Sequence, residues 1–319
     1  MRKSISPANE SEWLALRMLD VTSTESAALF GESPYDTEFS LWHRKKSGAV
    51  VKLEPNERMD WGTDLQDQIA ASLAKRQQVG IERLTEYVRL TNTRMGASFD
   101  FRIFSAGGHG VELPSALAAK FYDHGPGLLE IKNVDGAVFG RTWAKRDDGT
   151  LEAPSHIEIQ LQHQLHVSGL KWGAIGVLVG GNRGYLLVRD YYPDVGEEIE
   201  GRVNQFWESI EAGDEPDPTY PPDAGLMIKL MGKVTPEKVY NGIGNKELAR
   251  LLADYKRFAA DEKLAKEDKQ ICHARILKII GDAQRAYADG YTISAGMVKA
   301  TRIEYDREAY RMFKVTEKK

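Results

Sequence analysis

The chain has 319 residues, 42% hydrophobic and 28% charged, which fits one elaborated domain or two and excludes a disordered or fibrous chain. No apolar run reaches the roughly 18 residues of a membrane span, MRKSISPANESEW lacks the apolar stretch of a secretory signal, and the lone Cys272 excludes internal disulfides and cysteine-built zinc or iron–sulfur sites. A cytoplasmic location is therefore expected, with any metal held by oxygen or histidine. The net charge of −4 is unevenly shared: residues 226–319 carry 20 Lys and Arg against 13 Asp and Glu, a balance of +7 that leaves −11 on residues 1–225, so basic surface is available for phosphates and acidic surface for divalent metal.

The first quarter reads as helices. Glu10 to Leu19 repeats apolar residues at helical spacing, and Thr22-Ser23-Thr24-Glu25 offers caps for a short second helix stopped at Gly31-Glu32-Ser33-Pro34. Asp36 opens a third over DTEFSLWHRKK, and Asn56 a longer one reaching Gln77, with Met59, Leu65, Ile69 and Leu73 along one side. On this reading the helices precede the first sheet. Strand signals run from Val79 to Leu90 and again over Ser98 to Phe104, where polar and apolar residues alternate. A long glycine-rich connection then leads to the apolar strand Leu128 to Val134.

After Pro154, His156 to Gly169 predicts a helix, and WGAIGVLVGG and GYLLVRD predict paired buried strands around Asn182-Arg183-Gly184, which makes the core α/β. The stretch 213–223 holds four of the 12 prolines and reads as a linker or arm. Beyond it, Asn245 to Lys266 and Lys269 to Tyr287 predict an amphipathic helical hairpin, followed by short strand-like pieces around TIS, TRIEY and RMFKV.

The chemistry concentrates in Leu128-Leu129-Glu130-Ile131-Lys132. On a strand, residues 130 and 132 leave the same face, so an acid and an ammonium are aimed at one spot, and on a central apolar strand such charges are costly unless they serve a metal or each other. Glu267-Asp268-Lys269 shows that the E-x-K pattern alone means little. Asp100, on the alternating segment, is placed to supply a second carboxylate, and two converging carboxylates suit a divalent cation. Lys132 would then position or deprotonate a water. Asp123 competes for the role of Asp100, which is preferred because Asp123 sits beside His124, Gly125 and Pro126 in a turn context. His156, His163 and His166 form no metal-binding spacing and read as surface or DNA-facing. No GxxxxGK[ST] or GxGxxG motif is present.

These segments in this order resemble the lambda-exonuclease-like, YqaJ-type viral recombinases of the PD-(D/E)xK nuclease superfamily. The resemblance runs from Trp13 to Asp190. It is carried by Arg17 followed by Thr24, GESPYDTEFSLW, NERMDWGTDLQDQIA, the Asp100 segment, LLEIKN and IQLQHQLHVSG. It implies a central mixed β-sheet flanked by helices, the restriction-endonuclease-like core, over residues 1–212, then a proline-rich linker at 213–225 and a basic helical extension at 226–319.

It also implies roles for particular residues. Asp100 and Glu130 match the metal-binding acids, Lys132 the catalytic lysine, and Gln160 the glutamine that arranges the site. The carbonyl of Ile131 completes metal coordination, and Arg17, Thr24 and Ser98 match a terminal 5′-phosphate site. One position departs. Where the family places a glutamate, this chain has Gln66, which keeps an oxygen donor but loses a charge, so weaker metal affinity is expected.

The expected activity is a Mg2+-dependent exonuclease, with Mn2+ as a substitute. It would digest the 5′ strand of linear duplex DNA to leave 3′ overhangs, as a ring trimer working with a single-strand annealing protein. The alternatives are a structure-selective endonuclease of the same fold, or a DNA-binding protein weakened at Gln66.

Overall fold

The structure, a computed structural model, describes residues 1–48, 56–107, 115–145, 147, 149–300, 302 and 311–315. It divides into two units, Met1–Met227 and Ile228–Lys319.

The first unit begins with β1 (Arg2–Ile5) and α1 (Glu10–Met18), which starts where the Asn9 side chain accepts the Glu12 N–H at 2.9 Å. β2 (Val21–Thr22) and a 3-10 turn at Ser26–Phe30 follow, closed by Gly31 in the left-handed region at φ 69°. The Thr22 and Thr24 side chains do not cap that turn. α2 (Glu38–Ser47) opens on a capping box between Thr37 and Ser40, and α3 (Glu57–Gln77) on Asn56.

The chain continues through β3 (Val79–Arg83), β4 (Tyr87–Leu90), β5 (Met95–Ser98), β6 (Phe101–Ala106), α4 (Ala116–His124) and β7 (Gly127–Val134). After it come α5 (Gly136–Thr142), β8 (Ala144–Lys145), β9 (Leu151–Glu152), α6 (Ser155–Ser168), β10 (Trp172–Val179), β11 (Arg183–Asp190) and α7 (Pro193–Ala212).

A five-stranded sheet runs in the order β11-β10-β7-β6-β3, with β7 and β10 parallel and the other neighbours antiparallel. The core is thus a mixed sheet flanked by helices. Near-continuous apolar sequence puts β7 at its centre, and the period of two splits its side chains between the faces. Leu129 and Ile131 pack with Ile69 and Leu73 of α3, while Leu128 packs with Leu161 and Leu165 of α6.

Three strand expectations are corrected. The four residues of β1 pair with β4, so a sheet of order β1-β4-β5-β2 draws on the N-terminus, and helices do not simply precede the first sheet; so short and polar an edge strand has little sequence signal. The stretch from Val79 to Leu90 is two strands belonging to different sheets. The segment from Ser98 to Phe104 is likewise broken, with Asp100 in a bend between β5 and β6. The long connection between β6 and β7 contains α4. α7, absent from the sequence reading, buries Ile199, Val203, Phe206 and Trp207.

The proline-rich stretch lies within the first unit, where Asp223 accepts the Thr37 hydroxyl at 2.6 Å and the Thr219 N–H at 2.7 Å. α8 (Ala224–Leu230) spans the boundary between the units.

In the second unit the expected helical hairpin is instead one helix, α9 (Lys246–Ile280). Ala, Lys, Glu and Asp fill the assumed break around 266–269, and with no Gly or Pro there nothing ends the helix before Gly281. The residues to Tyr287, taken as helical, begin the antiparallel pair β12 (Arg285–Ala288) and β13 (Tyr291–Ser294), built around Asp289-Gly290. TRIEY lies outside the described residues except for Arg302, and residues 311–315 form no strand.

Candidate active site

The site forms where β6 and β7 part. Their register pairs Phe101 with Leu129, so β6 begins one residue short of Glu130 and the bend at Asp100 lies level with it. The Ile131 N–H, left without a partner on β6, donates to Asp100 Oδ2 at 2.8 Å. In an extended strand the N–H and C=O of one residue face the same edge, so the Ile131 carbonyl faces this gap too.

On the α6 side, Lys132 Nζ donates to Glu130 Oε1 at 2.8 Å and to Gln160 Oε1 at 3.0 Å. Gln160 Nε2 donates back to Glu130 Oε1 at 2.6 Å. Gln164, one turn further along α6, donates to Glu130 Oε2 at 2.9 Å and to the Ser98 carbonyl at 3.1 Å. Glu130 is only 5% exposed, and these contacts compensate the burial of its charge.

Burial, and then the charge of Glu130, push the Asp100 carboxyl up to about 7, against the opposing pull of the Ile131 N–H, Lys132 and a hydrogen bond from Gln66. Burial alone would lower Lys132. Glu130, with Asp100 and Tyr35, outweighs it and holds the ammonium above its ordinary value, so Lys132 stays protonated and donates hydrogen bonds rather than acting as a base.

Gln66 stands on α3 at the mouth of the gap, its Oε1 accepting from Arg83 at 2.8 Å, while Arg83 also pairs with Asp67. Asp123 is exposed on α4.

A second cluster adjoins the first. Arg17 donates to the Thr24 hydroxyl at 3.2 Å and to that of Thr22 at 3.5 Å, and its guanidinium lies 4.6 Å from the Trp13 ring centre. The Trp13 indole N–H donates to the Ser98 hydroxyl at 2.9 Å, so Arg17, Thr24 and Ser98 are brought together through Trp13. Beneath them Glu25 accepts the Thr22 N–H and hydroxyl, each at 2.9 Å, and pairs with Lys45 at 2.8 Å and Arg44 at 3.2 Å.

Gln164 was not singled out from sequence, and Thr22, Trp13 and Glu25 were given no role in this cluster there. Gln164 and Trp13 carried a usable signal, each standing four residues along a helix from a named site residue.

The histidine reading needs correction. His163 is fully buried against the Gly96 carbonyl at 3.1 Å, because α6 packs that side of its helix onto β5. His166 bridges Tyr191 and Glu200 at 2.8 and 2.7 Å.

Two carboxylates, an amide oxygen and a main-chain carbonyl are hard donors of the type that hold Mg2+ or Mn2+. Among the described residues no group of three or more His, Cys, Asp or Glu is placed to hold a metal. A third protein oxygen at this site would therefore come from Gln66 or Ile131. Asp100 and Glu130 converge beside the Gln66 amide and the Ile131 carbonyl, a donor set whose chemistry fits such a cation.

The family model described as the YqaJ-like viral recombinase domain matches residues 12–171, half of the chain. The chain belongs to the YqaJ-like viral recombinase family. Every residue of both clusters lies inside that domain. Among solved structures, this family member is similar to an alkaline exonuclease (LHK-Exo) from Laribacter hongkongensis, at 18% identity over 64% of this chain and 93% of that one, with a TM-score of 0.44. It is also similar to LHK-Exo in complex with dAMP, at 18% identity and the same coverage, with a TM-score of 0.40. No curated protein matches the chain.

Proposed function

We propose that the protein is a Mg2+-dependent deoxyribonuclease that digests the 5′ strand of linear duplex DNA and leaves a 3′ overhang. The observation that carries this reading is the meeting of Asp100, Glu130, Lys132 and Gln160 at the gap between β6 and β7, within a YqaJ-like recombinase domain.

Asp100 and Glu130 would hold the cation, with the Ile131 carbonyl and Gln66 as further oxygen donors. Mg2+, or Mn2+ in its place, supplies Lewis-acid polarisation of the scissile phosphate when bound. Lys132, held protonated, orients the attacking water and offsets charge on the phosphate. Gln160 and Gln164 fix the rotamers of Lys132 and Glu130. Arg17, Thr22, Thr24 and Ser98 present a guanidinium and hydroxyls suited to a terminal phosphate dianion. Ser98 is joined to Glu130 through Gln164, which ties the recognition of an end to the site of cleavage. A homotrimeric ring and a single-strand annealing partner belong to the same reading and rest on the family.

The test is to incubate the protein with 5′-phosphorylated linear duplex, 5′-hydroxyl linear duplex and closed circular DNA, with Mg2+ or with a chelator. Magnesium-dependent loss of linear DNA is expected, fastest with the 5′-phosphate, while the circle survives. Cleavage of the circle would identify an endonuclease instead, and salt-sensitive binding without hydrolysis a DNA-binding protein.

A further inference from the structure

Tyr35 is 82% exposed, yet its backbone is fixed. Pro34 fixes its own φ and restricts Ser33, which stiffens the turn that leads into Tyr35. The Ser33 hydroxyl accepts the N–H of Tyr35 at 3.2 Å and of Asp36 at 3.1 Å, and the Asp36 carboxylate is gripped by Arg44 through two bonds of 2.9 Å. The ring meets His156 edge-on, centroids 6.0 Å apart with the planes at 90°. His156 is one turn before Gln160 on α6, and Gln160 bonds both Glu130 and Lys132. The pair therefore stands on the rim of the candidate active site.

We infer that Tyr35, braced by His156, is a stacking platform for an unpaired nucleobase next to the scissile phosphate. This rests on the nuclease reading and adds a contact to the base, which that reading lacks. The chemistry favours a base over a phosphate. Burial, and then Lys132, push His156 below its ordinary value, which favours its neutral ring, while the cations that suit phosphate are Arg17 and Lys132. An aromatic ring on an anchored loop stacks with little loss of freedom, and every base offers a π-face, so the contact tolerates any sequence.

The experiment uses the full chain in chelator with a 5′-phosphorylated duplex that has a frayed end carrying 2-aminopurine at its 5′ terminus. The probe's fluorescence should be quenched by the wild type and by Tyr35→Phe, but not by Tyr35→Ala, which should also bind about tenfold more weakly. An abasic terminal nucleotide should weaken wild-type binding by a similar factor and leave Tyr35→Ala unchanged. Absent wild-type quenching, equal quenching by Tyr35→Ala, or an abasic penalty shared equally by both proteins overturns the platform. Magnesium-dependent cleavage by the wild type is scored separately. Cleavage with no stacking removes only this inference, and stacking with no cleavage removes only the nuclease reading.

Discussion

Gln66 is the position at which one side chain tunes the site. Its amide donates to Asp100 and accepts from Arg83, so the cluster is satisfied without a third acid. Gln66→Glu removes the donor and adds a charge beside Asp100 and Glu130. It should lower the thermal midpoint in chelator, tighten Mn2+ binding by calorimetry by about tenfold, and raise cleavage at limiting Mg2+. A weaker Mn2+ isotherm would remove Gln66 from the metal site. His163, Glu25 and Asp100 shape the acid limb of stability. Burial lowers His163 to about 3, so between about 6.5 and 3 the unfolded chain binds a proton that the folded chain refuses. Lys45, Arg17 and Arg44 outweigh burial and hold Glu25 at about 2, a contribution present above about 4.5 and lost as pH falls towards 2. The His163 contribution should therefore fall away as pH drops below about 6.5, by up to about 1.4 kcal/mol per unit. The Asp100 carboxyl, raised to about 7, works the other way, because the folded chain takes up a proton there that the unfolded chain binds only near 3.8. In urea melts at pH 7 and 5, His163→Leu should therefore lose less stability on acidification than the wild type, or gain more, whatever its own baseline, and an unchanged pH difference would remove His163 from the acid limb. Of the site, Asp100, Glu130, Lys132 and Gln160 were legible in the sequence because a strand period and a familiar order of segments mark them. Glu25 and Thr22 were not, since their importance comes from what folds on top of them.

At the scale of elements, the hydrophobic period located α1, α2, α3, α6, β7, β10 and β11, and it failed where the decisive partner is distant in sequence. β1 has no pattern of its own and exists because β4 offers an edge. The break at Phe99-Asp100 is invisible in an alternating run, because it arises where the chain passes from one sheet to the other. α9 reads as two helices in the sequence, yet it carries no Gly or Pro and is rich in Ala, Leu, Lys, Glu and Arg, so it runs unbroken. Where the central strand passes under Trp172, Gly127 has no room for a side chain, as an added Cβ would collide with the indole. Gly127→Ala should cost about 1–3 kcal/mol in urea denaturation. A neutral result would mean that the ring relaxes freely there.

Across the whole molecule, the +7 of residues 226–319 and the −11 of residues 1–225 meet different demands, since the carboxylates of the site lie in the acidic part. Should the ring reading hold, light scattering at micromolar concentration will give about three times the chain mass, with a shift to monomer accompanied by loss of long runs of digestion but not of the first cut. A strictly monomeric protein that digests long duplexes without dissociating would refute it. The parting of β6 from β7 has one more consequence. The backbone proton of Ile131 is shared with a side chain rather than with a strand, so its NMR resonance is a built-in gauge of the Asp100 carboxyl. That single peak reports the protonation of this carboxyl and, on the proposed reading, would move when a cation binds, with no label on protein or DNA.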